Sequence, residues 1–336
     1  MEKRSEWIEE LICQNGGWIT FERFMAEALY HPEHGYYSAS IQAVGREGDF
    51  STSATLCPAF AEALAHWANS RLQSDFARQS MAVIEVGAGG GDLAANFLKA
   101  WNALGFPAIE YIAVETSPRL MEKLTARAAE SGFAVCGSLL EALSKCAGQA
   151  LIISNELVDA FPARQLIWQQ DDWSEIVLEV REGKIAEAAV PFTDRVDAEA
   201  PGNPKNGERI FIHPRYHLWL ADMLRDWKSG AMLTIDYGSA RPSNEVRAYR
   251  AHDRQEAASL YDQPGLQDLT CDVNFSDLQR WGEGLGWTTI ECCPQFDFLE
   301  RWLPDAEQRS GEDEALQFLR NPIGAGGAFQ VLEQRR

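Results

Sequence analysis

The stretch Val83–Leu93, with the sequence VIEVGAGGGDL, decides how this chain is expected to fold. It begins as a short apolar run, passes through a glycine-rich turn, and continues into Ala94–Leu98, which has helical spacing. An α/β sheet binds a nucleotide-like ligand where a strand is followed by a tight turn and then by the beginning of a helix. The stretch therefore predicts a ligand site at the turn.

Strand-like and helix-like segments alternate after this turn. Apolar runs typical of strands lie at 82–86, 109–114, 133–136 and 151–154, and helical patterns lie at 92–104, 118–130 and 139–145. Repeated β-α units of this kind predict an α/β fold with a mainly parallel, doubly wound sheet and right-handed crossovers.

Other regions flank or interrupt the expected sheet domain, which we place at 80–336. Residues 1–79 combine helical periodicity with a glycine-rich loop and predict an N-terminal helical region. Insertions are expected at about 163–212, where three short strand-like runs predict an antiparallel meander, and at about 238–274. With about 35 residues, the second insertion is long for a structureless loop, so we expect it to be a functional lid or insertion.

The composition excludes several classes of protein. The 336 residues are 46% hydrophobic and 24% charged, which is typical of a soluble globular chain. The net charge of −20 disfavours a nucleic-acid partner and is compatible with a cationic substrate. We expect no membrane span, since no apolar run approaches about 20 residues, and a cytoplasmic location, since the first residues lack a secretory signal.

No metal site is predicted. The adjacent cysteines at 292 and 293 fit no zinc spacing. The histidine pairs His31/His34 and His213/His217 lack acidic or cysteine ligands in a recognised pattern. We interpret both pairs as packing or surface residues.

The residues of the turn distinguish between ligands. Gly87 and Gly89 occupy the first two glycine positions of a dinucleotide fingerprint, but Asp92 stands at the third. The carboxylate of Glu85 would repel a pyrophosphate and attract a sulfonium and an amino group. Together with Gly91, these residues favour S-adenosyl-L-methionine (SAM) as the cofactor.

Glu115 extends the predicted cofactor site. It ends the strand that follows the turn in sequence, where a carboxylate can accept hydrogen bonds from both ribose hydroxyls. A solvated acid at the end of a strand is the alternative interpretation.

A polar segment predicts the substrate side of the site. Asn155, Glu156 and Asp159 follow a buried apolar strand at the carboxyl edge of the sheet, where the substrate is expected. Glu156 and Asp159 would share a face if this segment is helical. The alternative is a helix start with acids near the positive end of its dipole.

Motifs along the chain resemble those of the MidA family of SAM-dependent methyltransferases. Mitochondrial members of that family include a complex I assembly factor that methylates an arginine. The matching motifs run in order over nearly the whole chain: ITFERFM (19–25), HP with GYY (31–37), GDF with TS (48–53), the glycine turn, SNELVDAFP (154–162), LTIDYG (233–238) and QDLT with DVNF (267–275).

The resemblance implies a Rossmann-like, seven-stranded methyltransferase fold, with 80–336 as the methyltransferase domain and the N-terminal region covering the active site. It implies that the GDF loop and the loop Asn155–Pro162 border that site, and that Asp49 contacts the cofactor. One departure is Ala54-Thr55, which stands where the family usually carries Pro-Glu. Arginine as the acceptor is therefore a hypothesis for this chain.

The leading hypothesis is methyl transfer to a protein side-chain nitrogen, with a respiratory-complex subunit or another protein as partner. Glu156 and Asp159 are the candidates for orienting a guanidinium and localising its charge, and Asn155 for positioning the substrate. Asp236 and Tyr237 are second-line candidates.

Two alternatives of other classes stay open. The first is a binding or assembly factor that retains SAM without turnover and uses the two insertions as partner surfaces. The second is an NAD-dependent oxidoreductase, which Glu85 and Asp92 disfavour.

Overall fold

The computed structural model describes residues 6–41, 57–74, 81–194, 196–250, 253–254 and 260–336. The chain forms two compact units, each assembled from segments that are distant in sequence. The first unit combines Met1–Ile41, Val158–Leu218 and Ser239–Asp277, and the second combines Gln42–Leu157, Trp219–Gly238 and Leu278–Arg336. The described residues 6–41 thus belong to the same compact unit as most of both predicted insertions.

A seven-strand arrangement organises the second unit. Its strands pair in the order Thr288–Pro294, Phe329–Arg335, Ala231–Ser239, Ala150–Asn155, Ala82–Val86, Glu110–Val114 and Ala134–Cys136. The last five strands of this order run parallel, and Phe329–Arg335 is antiparallel to both of its neighbours. The predicted mainly parallel, Rossmann-like sheet is confirmed.

The central strands are apolar because helices cover both faces of a parallel sheet. Ala82–Val86 is buried along its whole length, and the helices Pro58–Ser74 and Asp92–Ala103 contribute Trp67 and Trp101 to the same core. The remaining described helices that lie wholly in this unit are Pro118–Ser131, Leu139–Lys145, Gln295–Trp302, Ala306–Ser310, Glu314–Arg320 and Ala325–Ala328. Three of these helices, Gln295–Trp302, Ala306–Ser310 and Glu314–Arg320, follow one another between residues 295 and 320.

Antiparallel pairing organises the first unit. One sheet follows the order Trp18–Thr20, Asp172–Arg181, Arg164–Gln169 and Arg209–Ile212, and Lys184–Pro191 pairs with Asp172–Arg181. The predicted meander at 165–190 is confirmed. The strands Trp18–Thr20 and Arg209–Ile212 were not predicted, because three or four residues are too few to show an alternating pattern.

The insertion at 238–274 contains regular structure. Its strands Asp253–Arg254, Val246–Arg250 and Asp268–Cys271 form a small antiparallel sheet, and Val273–Asn274 follows them. Further elements of the first unit are the helices Glu6–Gln14 and Phe21–Tyr30 and a π-helical turn at Tyr36–Ser40. The helices Pro214–Met223 and Phe275–Gly284 each begin in the first unit and end in the second.

Local sequence signals explain where several helices begin. The Thr20 hydroxyl accepts a hydrogen bond from the backbone N–H of Arg23, and the Ser117 hydroxyl accepts one from Leu120. Pro118 occupies the first turn after Ser117, where its missing N–H costs nothing. None of the described helices is long and apolar enough to cross a membrane.

A buried carboxylate ties the final strand to the first long helix of the second unit. Glu333 is fully buried, and its Oε2 accepts hydrogen bonds from Trp67 Nε1 at 3.0 Å and from Arg71 Nη2 at 2.7 Å. Its Oε1 lies 3.2 Å from Arg335 Nε. Removing the carboxylate would leave the mostly buried Arg71 without this counter-ion.

We expect Glu333→Ala to lower the free energy of unfolding by about 3 kcal/mol, because breaking one side of a buried ion pair leaves a desolvated charge. Urea unfolding followed by circular dichroism measures this change. Lys145→Ala, which breaks an exposed ion pair with Glu141, is the matched control and should shift the midpoint far less. Equal shifts for the two variants would contradict the assignment.

Candidate functional site

The glycine turn that follows the strand Ala82–Val86 has a backbone that other residues would strain. Gly87, Gly89 and Gly91 have φ angles of 75°, 56° and 80°, in the left-handed region where a Cβ atom is unfavourable. A Cβ built on Gly87 would lie 2.8 Å from the Leu157 side chain, and one on Gly91 would lie 2.8 Å from Leu124. These glycines therefore allow both the turn and the close packing around it.

Glu115 connects this turn to the neighbouring strand. Its Oε2 accepts a hydrogen bond from the Gly89 N–H at 2.8 Å, and its Oε1 accepts bonds from the N–H groups of Thr116 and Ser117 at 2.8 and 2.7 Å. Burial raises the pKa of Glu115, and these three N–H groups oppose that shift. A carboxylate offers about four acceptor positions, so Glu115 retains the capacity to accept a ligand hydroxyl.

Glu85 lies on the strand that precedes the glycine turn, close to the first turn of the helix that follows it. Its carboxyl group is buried and accepts a hydrogen bond from Tyr111 Oη at 2.8 Å. Burial raises the pKa of Glu85 to about 8, and the charges of Glu115 and Asp92 raise it as well. Tyr111 and the Ala94 N–H act in the opposite direction. The group is therefore mostly protonated at neutral pH in the absence of a nearby cation.

Sequence reasoning missed Tyr111 as the partner of Glu85, although the sheet register explains it. Tyr111 pairs with Val83 in the parallel ladder, and Glu85 lies two residues beyond Val83 on the same face of the strand. Tyr111 and Glu85 are therefore diagonal neighbours, which long side chains can bridge. The pairing of Tyr111 with Glu85 could have been inferred from the sequence once the two predicted strands were aligned in the sheet.

Asp92, the residue that replaces the third glycine of a dinucleotide fingerprint, has a structural partner. It forms an ion pair with Arg127 of the helix Pro118–Ser131. It also opens the helix Asp92–Ala103, where an acid interacts favourably with the helix dipole.

The strand Ala150–Asn155 ends in the polar residues predicted for the substrate side. Asn155 Nδ2 donates a hydrogen bond to Glu156 Oε1 at 3.2 Å, while the buried Asn155 Oδ1 has no hydrogen-bond partner among the residues that the structure describes. Glu156 has a φ of 53°, which a non-glycine residue rarely adopts, and its N–H donates to the Ile235 carbonyl at 2.9 Å. Such backbone strain is typical of functional sites.

Asp236 holds the backbone after Glu156. It is fully buried, and its Oδ2 accepts a hydrogen bond from the Leu157 N–H at 3.1 Å while its Oδ1 accepts one from the Tyr237 N–H at 2.8 Å. Tyr237 packs on Phe329, with ring centroids 3.9 Å apart. The structure thus gives Asp236 a positioning role, next to a Leu157 side chain that packs on Gly87.

The helical face proposed for Glu156 and Asp159 does not form. Residues 156–163 contain bends and one turn, in which the Phe161 N–H donates to the Val158 carbonyl at 3.0 Å. Glu156 belongs to the second unit, whereas Asp159 is a buried residue of the first unit. The strand instead ends in an irregular loop, with a strained backbone at Glu156 and a hydrogen bond from the Leu157 N–H to Asp236.

Two predicted features fall outside the described residues: Asp49, predicted to contact the cofactor, and the departure at Ala54-Thr55. Among the residues that are described, no group of three or more His, Cys, Asp or Glu side chains is arranged to hold a metal ion. His213, one of the histidines interpreted as packing residues, is buried, and burial lowers its pKa to about 4.

Replacing Glu85 by Gln tests whether its carboxyl group is protonated in the folded protein. Between the ordinary pKa of 4.5 and the folded value of about 8, the unfolded chain has released this proton while the folded chain retains it. The stability that the protonated group provides is complete below pH 4.5 and is lost as the pH rises to about 8. We therefore expect the stability of Glu85→Gln to rise relative to that of the wild type by roughly 3–5 kcal/mol across this range.

Urea unfolding of the ligand-free protein at several pH values within that range measures the difference. Glu110→Gln, at the exposed start of the neighbouring strand, controls for the effect of the substitution itself. A stability difference for Glu85→Gln that does not change with pH would show that the carboxyl group titrates normally.

Comparison with known proteins identifies the family. Residues 63–293 match the model of a family described as S-adenosyl-L-methionine-dependent methyltransferases. A crystal structure of a protein from Burkholderia thailandensis bound to S-adenosyl-homocysteine has a TM-score of 0.84 and is 28% identical, covering 100% of this chain and 92% of that chain. A second crystal structure from the same organism has a TM-score of 0.80 at 25% identity, with the same coverage.

The curated proteins to which this chain is similar are named as protein arginine methyltransferases. The mitochondrial protein arginine methyltransferase NDUFAF7 of Xenopus tropicalis is 28% identical over 294 residues, which are 79% of this chain and 67% of that protein. The NDUFAF7 protein of Mus musculus is 26% identical over 297 residues, or 80% of this chain and 67% of that protein. The chain thus spans about two thirds of the length of these relatives.

The family match covers more than half of the chain and includes the glycine turn, Glu115 and the loop Asn155–Pro162. It agrees with the mainly parallel sheet and with the resemblance based on the sequence motifs. The chain belongs to this family of S-adenosyl-L-methionine-dependent methyltransferases.

Proposed function

We propose that this protein transfers a methyl group from SAM to a side-chain nitrogen of another protein, with the guanidinium of arginine as the acceptor. The relatives named as protein arginine methyltransferases support this acceptor, and the net charge of −20 suits a cationic one. The observation that carries the proposal is Glu156, a carboxylate held with strained backbone directly before Leu157, which packs on the glycine turn.

The residues of the turn fit SAM. A Cβ at Gly87 or Gly91 would collide with a leucine side chain, so the turn needs glycine at both positions. A glycine turn between a strand and a helix is the place where this kind of sheet binds a nucleotide-like ligand. Glu115, with its remaining acceptor capacity, would hold the ribose hydroxyls, and Glu85 would lie near the cationic part of the cofactor. When bound, SAM supplies a methyl group on a positively charged sulfur.

The polar loop supplies what a guanidinium acceptor requires. A guanidinium has a pKa above 12 and is a poor nucleophile unless carboxylates orient it and localise its charge. Glu156 and Asp159 are assigned this role. Asn155, whose buried Oδ1 has no hydrogen-bond partner within the described part of the chain, is assigned the positioning of the substrate. The nitrogen–methyl bond forms as the sulfur–methyl bond breaks, and the proton that the guanidinium gives up passes to one of the two carboxylates or to water. Catalysis then rests on orientation and on electrostatic stabilisation of the positive charge at the acceptor.

The setting of the reaction is also part of the proposal. The acceptor is a protein, and a subunit of a respiratory complex is one candidate because the MidA family, which this chain resembles, includes a complex I assembly factor. A cytoplasmic location is also part of the proposal.

Glu156→Gln should lower methyl transfer by about 100-fold or more, because the charge that orients the acceptor is lost while the side-chain shape is kept. The assay follows labelled methyl from SAM into protein of a cell extract that lacks this chain, and mass spectrometry locates the label. The affinity for SAM, measured by calorimetry, should stay within about threefold of the wild-type value.

Glu182→Gln is a matched control for this variant. Glu182 is an exposed glutamate that also has a positive φ, of 50°, in the turn of the meander. It should transfer methyl like the wild type. Loss of SAM affinity in Glu156→Gln would assign that residue to the cofactor instead, and SAM binding without any transfer by the wild type would favour a binding or assembly factor.

Glu115→Gln should weaken SAM binding by about 10- to 100-fold, because it replaces a charged acceptor that both holds the turn and faces the ribose. Calorimetry with SAM and with S-adenosyl-homocysteine measures the loss, and NAD tests the oxidoreductase alternative. Glu110→Gln, at the exposed start of the same strand, should bind normally. Unchanged SAM affinity in Glu115→Gln would show that the ribose lies elsewhere.

A further inference from the structure

The loop that carries Asp159 meets two sequence motifs that have no role so far, and all three lie in the first unit. They are HPEHGYY at 31–37, the segment Val158–Pro162, and GLQDLTC at 265–271. All three lie in the same compact unit although more than 220 residues separate the first from the last. These segments contact one another through both side-chain and backbone atoms.

Two hydrogen bonds hold the backbone at and after Asp159. The Cys271 N–H donates to the Asp159 carbonyl at 3.0 Å, and Tyr30 Oη donates to the Ala160 carbonyl at 2.8 Å. Asp159 and Ala160 are both buried. The direction of the Asp159 side chain therefore depends on Tyr30 and on the strand that contains Cys271.

A second pair of contacts, both made by Tyr37, links Tyr30 to the strand Asp268–Cys271. Tyr37 Oη donates to Asp268 Oδ1 at 2.9 Å, and the Tyr37 ring stacks on Tyr30 with centroids 5.6 Å apart and planes inclined by 19°. Asp268 begins the strand Asp268–Cys271, which contributes the N–H that holds Asp159. The bond from Tyr37 to Asp268 thus joins the tyrosine stack to that strand.

Glycines allow the close approach that this bond requires. A Cβ on Gly35 would lie 2.4 Å from the His31 backbone nitrogen, and one on Gly265 would lie 1.9 Å from the His34 carbonyl oxygen. Gly265 also has a positive φ, of 82°. Both positions therefore require glycine, and they bring the turn at 31–37 against the segment that leads into Asp268.

Charge around Tyr37 is consistent with this arrangement. Burial raises the pKa of Tyr37 well above its ordinary value, and the charges of Asp268 and Asp159 raise it as well. The phenol stays protonated and can donate its hydrogen bond, and the Asp159 charge lies close enough to affect it.

We infer that Tyr37 and Asp268 are positioning residues for the proposed methyl transfer: their hydrogen bond fixes the loop Val158–Pro162 and thereby the Asp159 side chain. The inference rests on the proposed function, since Asp159 is there assigned to the acceptor. It concerns the acceptor and leaves the cofactor-binding turn, which belongs to the second unit, unaffected.

The test compares Tyr37→Phe, which removes the donor and keeps the ring stack, with the conservative Asp268→Asn and the disruptive Asp268→Ala. We expect Tyr37→Phe and Asp268→Ala to lower methyl transfer into extract by about tenfold, because a displaced orienting group costs rate. Asp268→Asn still offers an oxygen to Tyr37 and should stay within about threefold of the wild type. SAM affinity should be unchanged in all three variants.

Hydrogen–deuterium exchange gives a readout that does not depend on activity. In Tyr37→Phe and Asp268→Ala, amides of residues 158–163 and of Cys271 should exchange about tenfold faster, as expected when one hydrogen bond is lost. Amides of the glycine turn should exchange as in the wild type. Tyr261→Phe is the matched control, since it removes a tyrosine hydrogen bond to Glu187 elsewhere in the same unit.

The outcomes separate the two proposals. A wild-type protein that transfers no label overturns the proposed function and this inference with it. An active wild type with normal transfer or normal exchange in Tyr37→Phe overturns this inference alone. Equal loss of transfer in Tyr261→Phe also overturns it, because the effect would then be general to the unit.

Discussion

The carboxylate of Glu115 is the interaction on which the cofactor side of the structure depends. It accepts three hydrogen bonds from backbone N–H groups. One comes from Gly89 in the glycine turn, and two come from Thr116 and Ser117, which directly follow Glu115. A buried carboxylate is costly unless hydrogen bonds compensate for the lost water, and here those bonds come from the backbone that must be held. The same group thus fixes the turn and stays available to a ligand.

The parts of the fold that follow from local pattern were predictable. Apolar runs bounded by glycine and polar residues located the parallel strands Ala82–Val86, Glu110–Val114, Ala134–Cys136 and Ala150–Asn155, and the short runs within 163–212 located the meander. Glu85 and Glu115 were conspicuous in the sequence because a carboxylate within or directly after a buried apolar strand is unusual, and their contact with the cofactor stays a prediction. These features depend on neighbours within about ten residues, which a sequence displays directly.

Features that depend on distant residues were not predictable from one sequence. The strand Trp18–Thr20 is stable because it pairs with Asp172–Arg181, about 160 residues later, and not because of its own pattern. Tyr37 and Asp268 are 231 residues apart, so their hydrogen bond appears only after folding. The expectation of a helical face at Glu156 and Asp159 was wrong because backbone strain and the buried Asp236 determine that loop.

The loop after the strand Ala150–Asn155 is held by different residues at its two ends. Glu156 has a strained conformation of a kind that costs about 1–3 kcal/mol and persists only when its surroundings determine it, here through Ile235, Asp236 and the packing of Leu157. Asp159 is instead held by Cys271 and, through Ala160, by Tyr30. Because the two carboxylates have separate supports, substitutions in 31–37 or 265–271 can displace Asp159 while the supports of Glu156 and the glycine turn stay intact.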